Sequence, residues 1–196
     1  MNPLDEVMEW YNFNINQQNF FMEILKNSHK MQDNRVFNAI LMNYDLSLLE
    51  KKERKNKMSN LKKELDDLTI VSLWAVFEAF LNDSIKQKTD KITKEITDPI
   101  SNKIAIYAFK EADRWIKNNV LDFFKTKNTE ENENSNINFD SFIVGDVKDI
   151  YTYRNWVAHG KSGEKPAVKN LIPSIVYKRL TNFLQESKLI ENILEK

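Results

Sequence analysis

Three glycines and four prolines in 196 residues are the tightest constraint on the fold of this chain. Sheet proteins need frequent tight turns, whereas helical bundles need few, so this scarcity predicts long helices. The hydropathy pattern agrees, because apolar residues recur at helical spacing and strict alternation is rare. Spacing predicts helices over 3–28, with Pro3 in a tolerated first turn, over 33–64 as one helix or a pair, and over 65–88. Val36, Ile40, Leu41, Tyr44, Leu48 and Leu49 stripe the second, and Ile70, Leu73, Trp74, Phe77, Phe80, Leu81 and Ile85 stripe the third. Asp98-Pro99 is a break. Further helices follow at about 100–126, at 141–159 ending on Gly160, and from Pro173 through Leu189 and Ile193. Residues 127–138 lack apolar side chains until Ile137 and read as a loop. The expectation is an all-α antiparallel bundle of about five to seven helices forming one domain over 1–196.

Composition removes several chemistries. The chain has no Cys and only two His, His29 and His159, which excludes disulfides, thiol catalysis and thiolate metal sites. No metal or cofactor is therefore expected. Lys plus Arg and Asp plus Glu both number 29, so attraction to an anionic partner must come from local patches. No basic-plus-apolar leader is visible at Met1–Glu6. The longest apolar stretch, Leu68 to Leu81, holds Ser72 and Glu78 and is short for a bilayer. A cytoplasmic protein without a membrane partner is expected.

Residues 151–161 read Tyr-Thr-Tyr-Arg-Asn-Trp-Val-Ala-His-Gly-Lys. Ile143, Val147, Ile150 and Val157 share a helix face, and Arg154 sits in the middle of it. An arginine keeps its charge, so burial without a partner is costly. Arg154 must find a carboxylate, line a wet cleft or face an anion. His159 lies in the last turn, where an imidazole can take and give a proton near neutral pH. Asn155, four residues before it, shares its face.

The string Arg154-Asn155-x-x-Ala158-His159-Gly160 resembles the R-x(4–6)-H signature of HEPN domains, whose members often carry a polar residue directly after the arginine. Trp74-Ala75-Val76-Phe77-Glu78-Ala79-Phe80-Leu81 is similar to a helix preceding that signature in small stand-alone bacterial members. The fold-level similarity extends over 65–195 and bears least on 1–64. The resemblance implies a HEPN-like fold and a metal-independent endoribonuclease. In that reading the 2′-hydroxyl of RNA attacks the phosphodiester, His159 moves protons, Arg154 holds the phosphate, and Asn155 orients His159 or donates to a phosphate oxygen. It also implies a symmetric homodimer with two signatures in one cleft, and a setting as a toxin with an antitoxin or regulatory partner, or as a phage-defence effector. The alternative is a non-catalytic HEPN-like dimer that binds a partner protein or a nucleotide. A third reading, a plain helical adaptor, makes the signature a coincidence.

Arg154 and His159 are five residues apart, which on a helix turns their side chains by about 140°. Either the chain unwinds at Gly160 or the site is composite. Some members carry a Tyr two residues after the His, a target of adenylylation; here Lys161 stands there and would instead hold the RNA backbone. Tyr151 and Tyr153 lie nearby. Glu78 either pairs with Arg154 or His159 or reaches water at a rim. Seven basic residues and one acidic one fill 51–63. Lys51, Lys52, Arg54 and Lys55 there are candidates for RNA contact, against the plainer reading of a solvated face. Trp156 and Trp115 are stacking candidates or core, and His29 reads as surface.

Overall fold

The computed structural model describes residues 2–26, 51–123, 141–168 and 171–187, and side chains at 2–24, 52–111, 142–168 and 171–187. Five helices account for most of them: α1 (Asp5–Lys26), α2 (Lys51–Glu95), α3 (Pro99–Phe123), α4 (Ser141–Ala158) and α5 (Pro173–Glu186). No strand occurs among the described residues. The chain is all-helical, as the Gly and Pro scarcity requires. The 33–49 stripe, His29, the 127–138 loop, the side chains of Lys51 and Trp115, and Leu189 and Ile193 lie outside the described residues.

The largest departure from expectation is α2. A boundary was expected near 64–65, yet the helix runs unbroken for 45 residues. Nothing between Lys51 and Glu95 can stop it, because the segment contains neither Gly nor Pro. It ends where Asp98-Pro99 intervenes. There Asp98 caps α3: its carboxylate accepts the Ser101 N–H at 2.7 Å, with Pro99 in the first helical position. The hydrogen bonds from Ser101 hold the Asp98 carboxyl below its ordinary range. Asn102 then donates to the carbonyls of Thr93 (2.6 Å) and Ile96 (3.1 Å), satisfying the tail of α2.

The described chain separates into two compact units, one of Met1–Asp5 with Ile70–Lys196 and one of Glu6–Thr69. In the first, α4 packs on α5 and touches α3. Its core is Ile70, Leu73, Trp74, Phe77 and Leu81 of α2, Val144, Val147 and Ile150 of α4, and Val176, Leu180, Phe183 and Leu184 of α5, all buried. Phe77 meets Phe183 edge-on at 5.5 Å between ring centres. Leu4 is fully buried here as well, fastened by a polar knot. Asn2 donates to Thr181 at 2.8 Å and Tyr177 donates to Asp5 at 2.6 Å. That bond, with burial behind it, raises the Tyr177 hydroxyl above its ordinary pKa.

In the second unit Met58 is buried and Tyr11 donates to Asp66 at 2.7 Å. Burial first and Asp66 second push the Tyr11 hydroxyl far up. Thr69, fully buried, satisfies its hydroxyl on the Leu65 carbonyl at 2.7 Å.

One window of α2 has a mean hydropathy of 1.4 and is long and apolar enough to cross a membrane by length and composition. The core helix of a soluble protein passes the same test, and the apolar residues of α2 from Ile70 to Leu81 include five that are buried within the unit. The structure is compatible with a soluble protein.

Candidate functional site

Val144, Val147 and Ile150 carry α4 into the core, and one turn later the same face reaches Arg154. Its guanidinium is half-buried. Nη1 donates to Oδ1 of Asn155 at 2.9 Å, whereas Nε is shut off from solvent and has no acceptor. Arg154 forms no ion pair among the described residues. A neutral amide oxygen is thus its one polar contact. A buried donor left unmet costs about 1–3 kcal/mol, and a charged group more. Arg179 of α5 differs in having a carboxylate, Asp146 of α4 at 3.4 Å, although its Nη1 too is buried without an acceptor.

Trp156 repeats the anomaly, since its indole Nε1 is buried without an acceptor. The Trp156 ring lies 5.6 Å from that of Tyr153, and the Lys165 ammonium sits 5.9 Å from the Tyr153 ring centre. Sequence reading assigned no role to Lys165, and nothing in its spacing pointed to Tyr153; the turn after α4 brings it back. The Trp156 donor was foreseeable only as a Trp beside the signature.

The helix end is closed by the backbone. The N–H of His159 still reaches the Asn155 carbonyl at 2.9 Å, that of Gly160 reaches Val157 at 3.0 Å, and that of Lys161 reaches Trp156 at 2.8 Å. This is a Schellman termination with His159 as C-cap. Gly160 has φ +70 and Lys161 φ +58, so the left-handed turn begins one residue after His159. His159 therefore keeps its helical register, and unwinding at Gly160 comes too late to swing it toward Arg154. The imidazole is exposed and carries no hydrogen bond among the described residues, while its carbonyl accepts the Ser162 hydroxyl at 3.0 Å.

Glu78 takes neither of the two cationic partners weighed for it. Its Oε2 accepts the Trp74 indole N–H at 3.1 Å, a contact that the four-residue spacing allows. The Tyr151 ring lies tilted against the same Trp74, 5.3 Å between centres. The candidates thus fall into separate groups: Arg154 with Asn155, Glu78 with Tyr151 around Trp74, His159 open at the helix end, and Lys161 in the turn. Asn155 holds Arg154 and makes no hydrogen bond to the His159 ring. Lys52 and Lys55 are exposed on α2, and Arg54 is partly covered. No group of three His, Asp or Glu with metal-site geometry occurs among the described residues.

Comparison with protein-family models, curated proteins and solved structures found no match to this chain.

Proposed function

We propose that the end of α4 binds and cleaves RNA phosphodiesters without a metal, as a HEPN-type endoribonuclease acting as a homodimer in the cytoplasm. The observation that carries this reading is Arg154. A half-buried guanidinium with no carboxylate and with an orphaned Nε is a site waiting for an anion. Asn155 fixes the plane of that guanidinium and leaves its remaining donors for phosphate oxygens.

The chemistry needs little else. The 2′-oxygen attacks phosphorus as its proton passes to one imidazole, and the 5′-oxygen leaves with a proton from another. Arg154 offsets the charge that accumulates on the non-bridging oxygens. The products are a 2′,3′-cyclic phosphate and a 5′-hydroxyl. His159 of one copy faces away from Arg154 of the same copy by about 140°, so two copies supply the pair and the acid and base are separate rings. A toxin or defence setting, with an antitoxin or regulatory partner, follows from the resemblance alone.

The second reading, a dimer that binds a partner or a nucleotide without cutting, is favoured by two facts: the His159 ring lacks an orienting partner, and the net charge is zero. One experiment decides between them. Purified protein is incubated with mixed RNAs in excess EDTA, beside Arg154→Ala and His159→Ala, and the termini of any products are analysed. Cleavage in chelator that leaves cyclic phosphates and falls about 10²-fold or more in both variants supports the nuclease. RNA that is bound but intact throughout overturns it in favour of the binding module.

A further inference from the structure

We infer that the exposed face of α2 bearing Lys52, Lys55, Lys62 and Lys63 is a track for a nucleic-acid phosphate backbone, separate from the Arg154 site; the inference rests on the RNA reading above. At 100° per residue these four lysines and Ser59 fall within a wedge of about 100°, and from Lys52 to Lys63 the track runs about 16 Å along the helix. All five side chains are exposed. The set differs from the one that sequence suggested. Arg54 points to the other flank, is partly covered and has an interaction of its own, while Lys62 and Lys63 share the face by helical spacing.

The charge arrangement is unusual for a merely solvated face. Such faces alternate signs, so that a Glu four residues before a Lys offsets it. Here Glu53 and Glu64 both lie outside the wedge, and none of the four lysines forms an ion pair among the described residues. Four like charges are held on one strip at some cost to the helix, in a chain whose totals balance at 29 against 29. Asp66 lies in the same wedge one turn beyond Lys62 and Lys63, and its carboxylate accepts a hydrogen bond from Tyr11. The wedge contains no apolar side chain to insert among lipid tails, which sets it apart from a membrane-surface helix. Point charges with an interspersed hydroxyl suit phosphates read without sequence preference.

The test uses the full chain and a fluorescent 2′-O-methyl RNA, which lacks the attacking hydroxyl and cannot be cut. Anisotropy is followed against salt for the wild type and for Lys52→Gln, Lys55→Gln, Lys62→Gln and Lys63→Gln combined. A control carries Lys86→Gln, Lys88→Gln, Lys103→Gln and Lys110→Gln, the same charge change on other exposed sites. The track predicts at least a tenfold loss of affinity and a slope of log K on log salt shallower by about 3, with the control near wild type. Equal losses in both variants, or no loss in either, overturn the track. So does retained RNA binding with lost binding to polyglutamate or to phosphatidylserine vesicles. Cleavage of ordinary RNA, and its loss in His159→Ala, is scored in parallel, so failure of the track is told apart from failure of the nuclease reading.

Discussion

Two stretches of the first compact unit, a few residues apart along α4, solve the same problem in opposite ways. From Val144 to Ile150 the helix is sealed by apolar side chains buried with those of α2 and α5, and the nearby arginine, Arg179, has a carboxylate although one of its donors is also unmet. From Arg154 to Lys161 the helix leaves two buried donors without acceptors, an imidazole without a partner, and a non-glycine residue in the left-handed region. The first stretch is optimised for the folded chain alone. The second carries unmet costs of the kind that binding sites retain and cores remove.

That contrast can be broken by mutation. The largest effect is expected for Phe77→Ala, which empties a fully buried ring site against Phe183. A loss of about 3–5 kcal/mol in urea unfolding is expected, and a loss below about 1 kcal/mol would mean that the core is not sealed. Gly160→Ala comes next. A Cβ there meets nothing within 4 Å, yet φ is +70, so the cost is purely conformational, about 1–2 kcal/mol. Hydrogen exchange should show it as faster opening at the Gly160 and Lys161 amides.

Arg154→Met sharpens the contrast most directly. Removing a charge that has no ion pair should leave stability unchanged or raise it by up to about 1 kcal/mol, while RNA cleavage disappears. A destabilisation beyond about 2 kcal/mol would place Arg154 among the structural residues instead. The smallest effect belongs to the sealed side. Tyr177 has its pKa raised by its bond to Asp5, so the folded state holds that proton more tightly than the unfolded chain. The stabilisation is complete below the ordinary tyrosine pKa of about 10 and is lost as pH rises through the folded value. Tyr177→Phe should cost about 1 kcal/mol or less at neutral pH and should flatten the alkaline fall in stability measured by thermal melts.

Much of the helical layout was legible. The starts of α1, α3 and α5 and the end of α4 lie within a few residues of their expected places, because Pro3, Pro99, Pro173 and Gly160 act locally on the backbone. The join inside α2 was misjudged for the converse reason. A change in the apolar stripe near residue 64 alters what the helix packs against, but it does not alter helix propensity, so the helix continues. Glu78 with Trp74 was available from a four-residue spacing and was passed over for longer-range partners. Lys165 above Tyr153 and the fastening of Asn2 and Asp5 to α5 join residues whose sequence positions do not imply contact.

Sequence alone determined that this chain is helical, that α4 stops at Gly160, and that an arginine falls on its apolar face, since each follows from local backbone preference and a 3.6-residue period. Only the tertiary structure decided that no carboxylate comes to Arg154, that Lys165 comes over the Tyr153 ring, and that Asn2 and Asp5 fasten to α5. Such outcomes depend on which side chains distant segments deliver to a given point, and the energy of a buried charge is set by those neighbours rather than by its place in the chain.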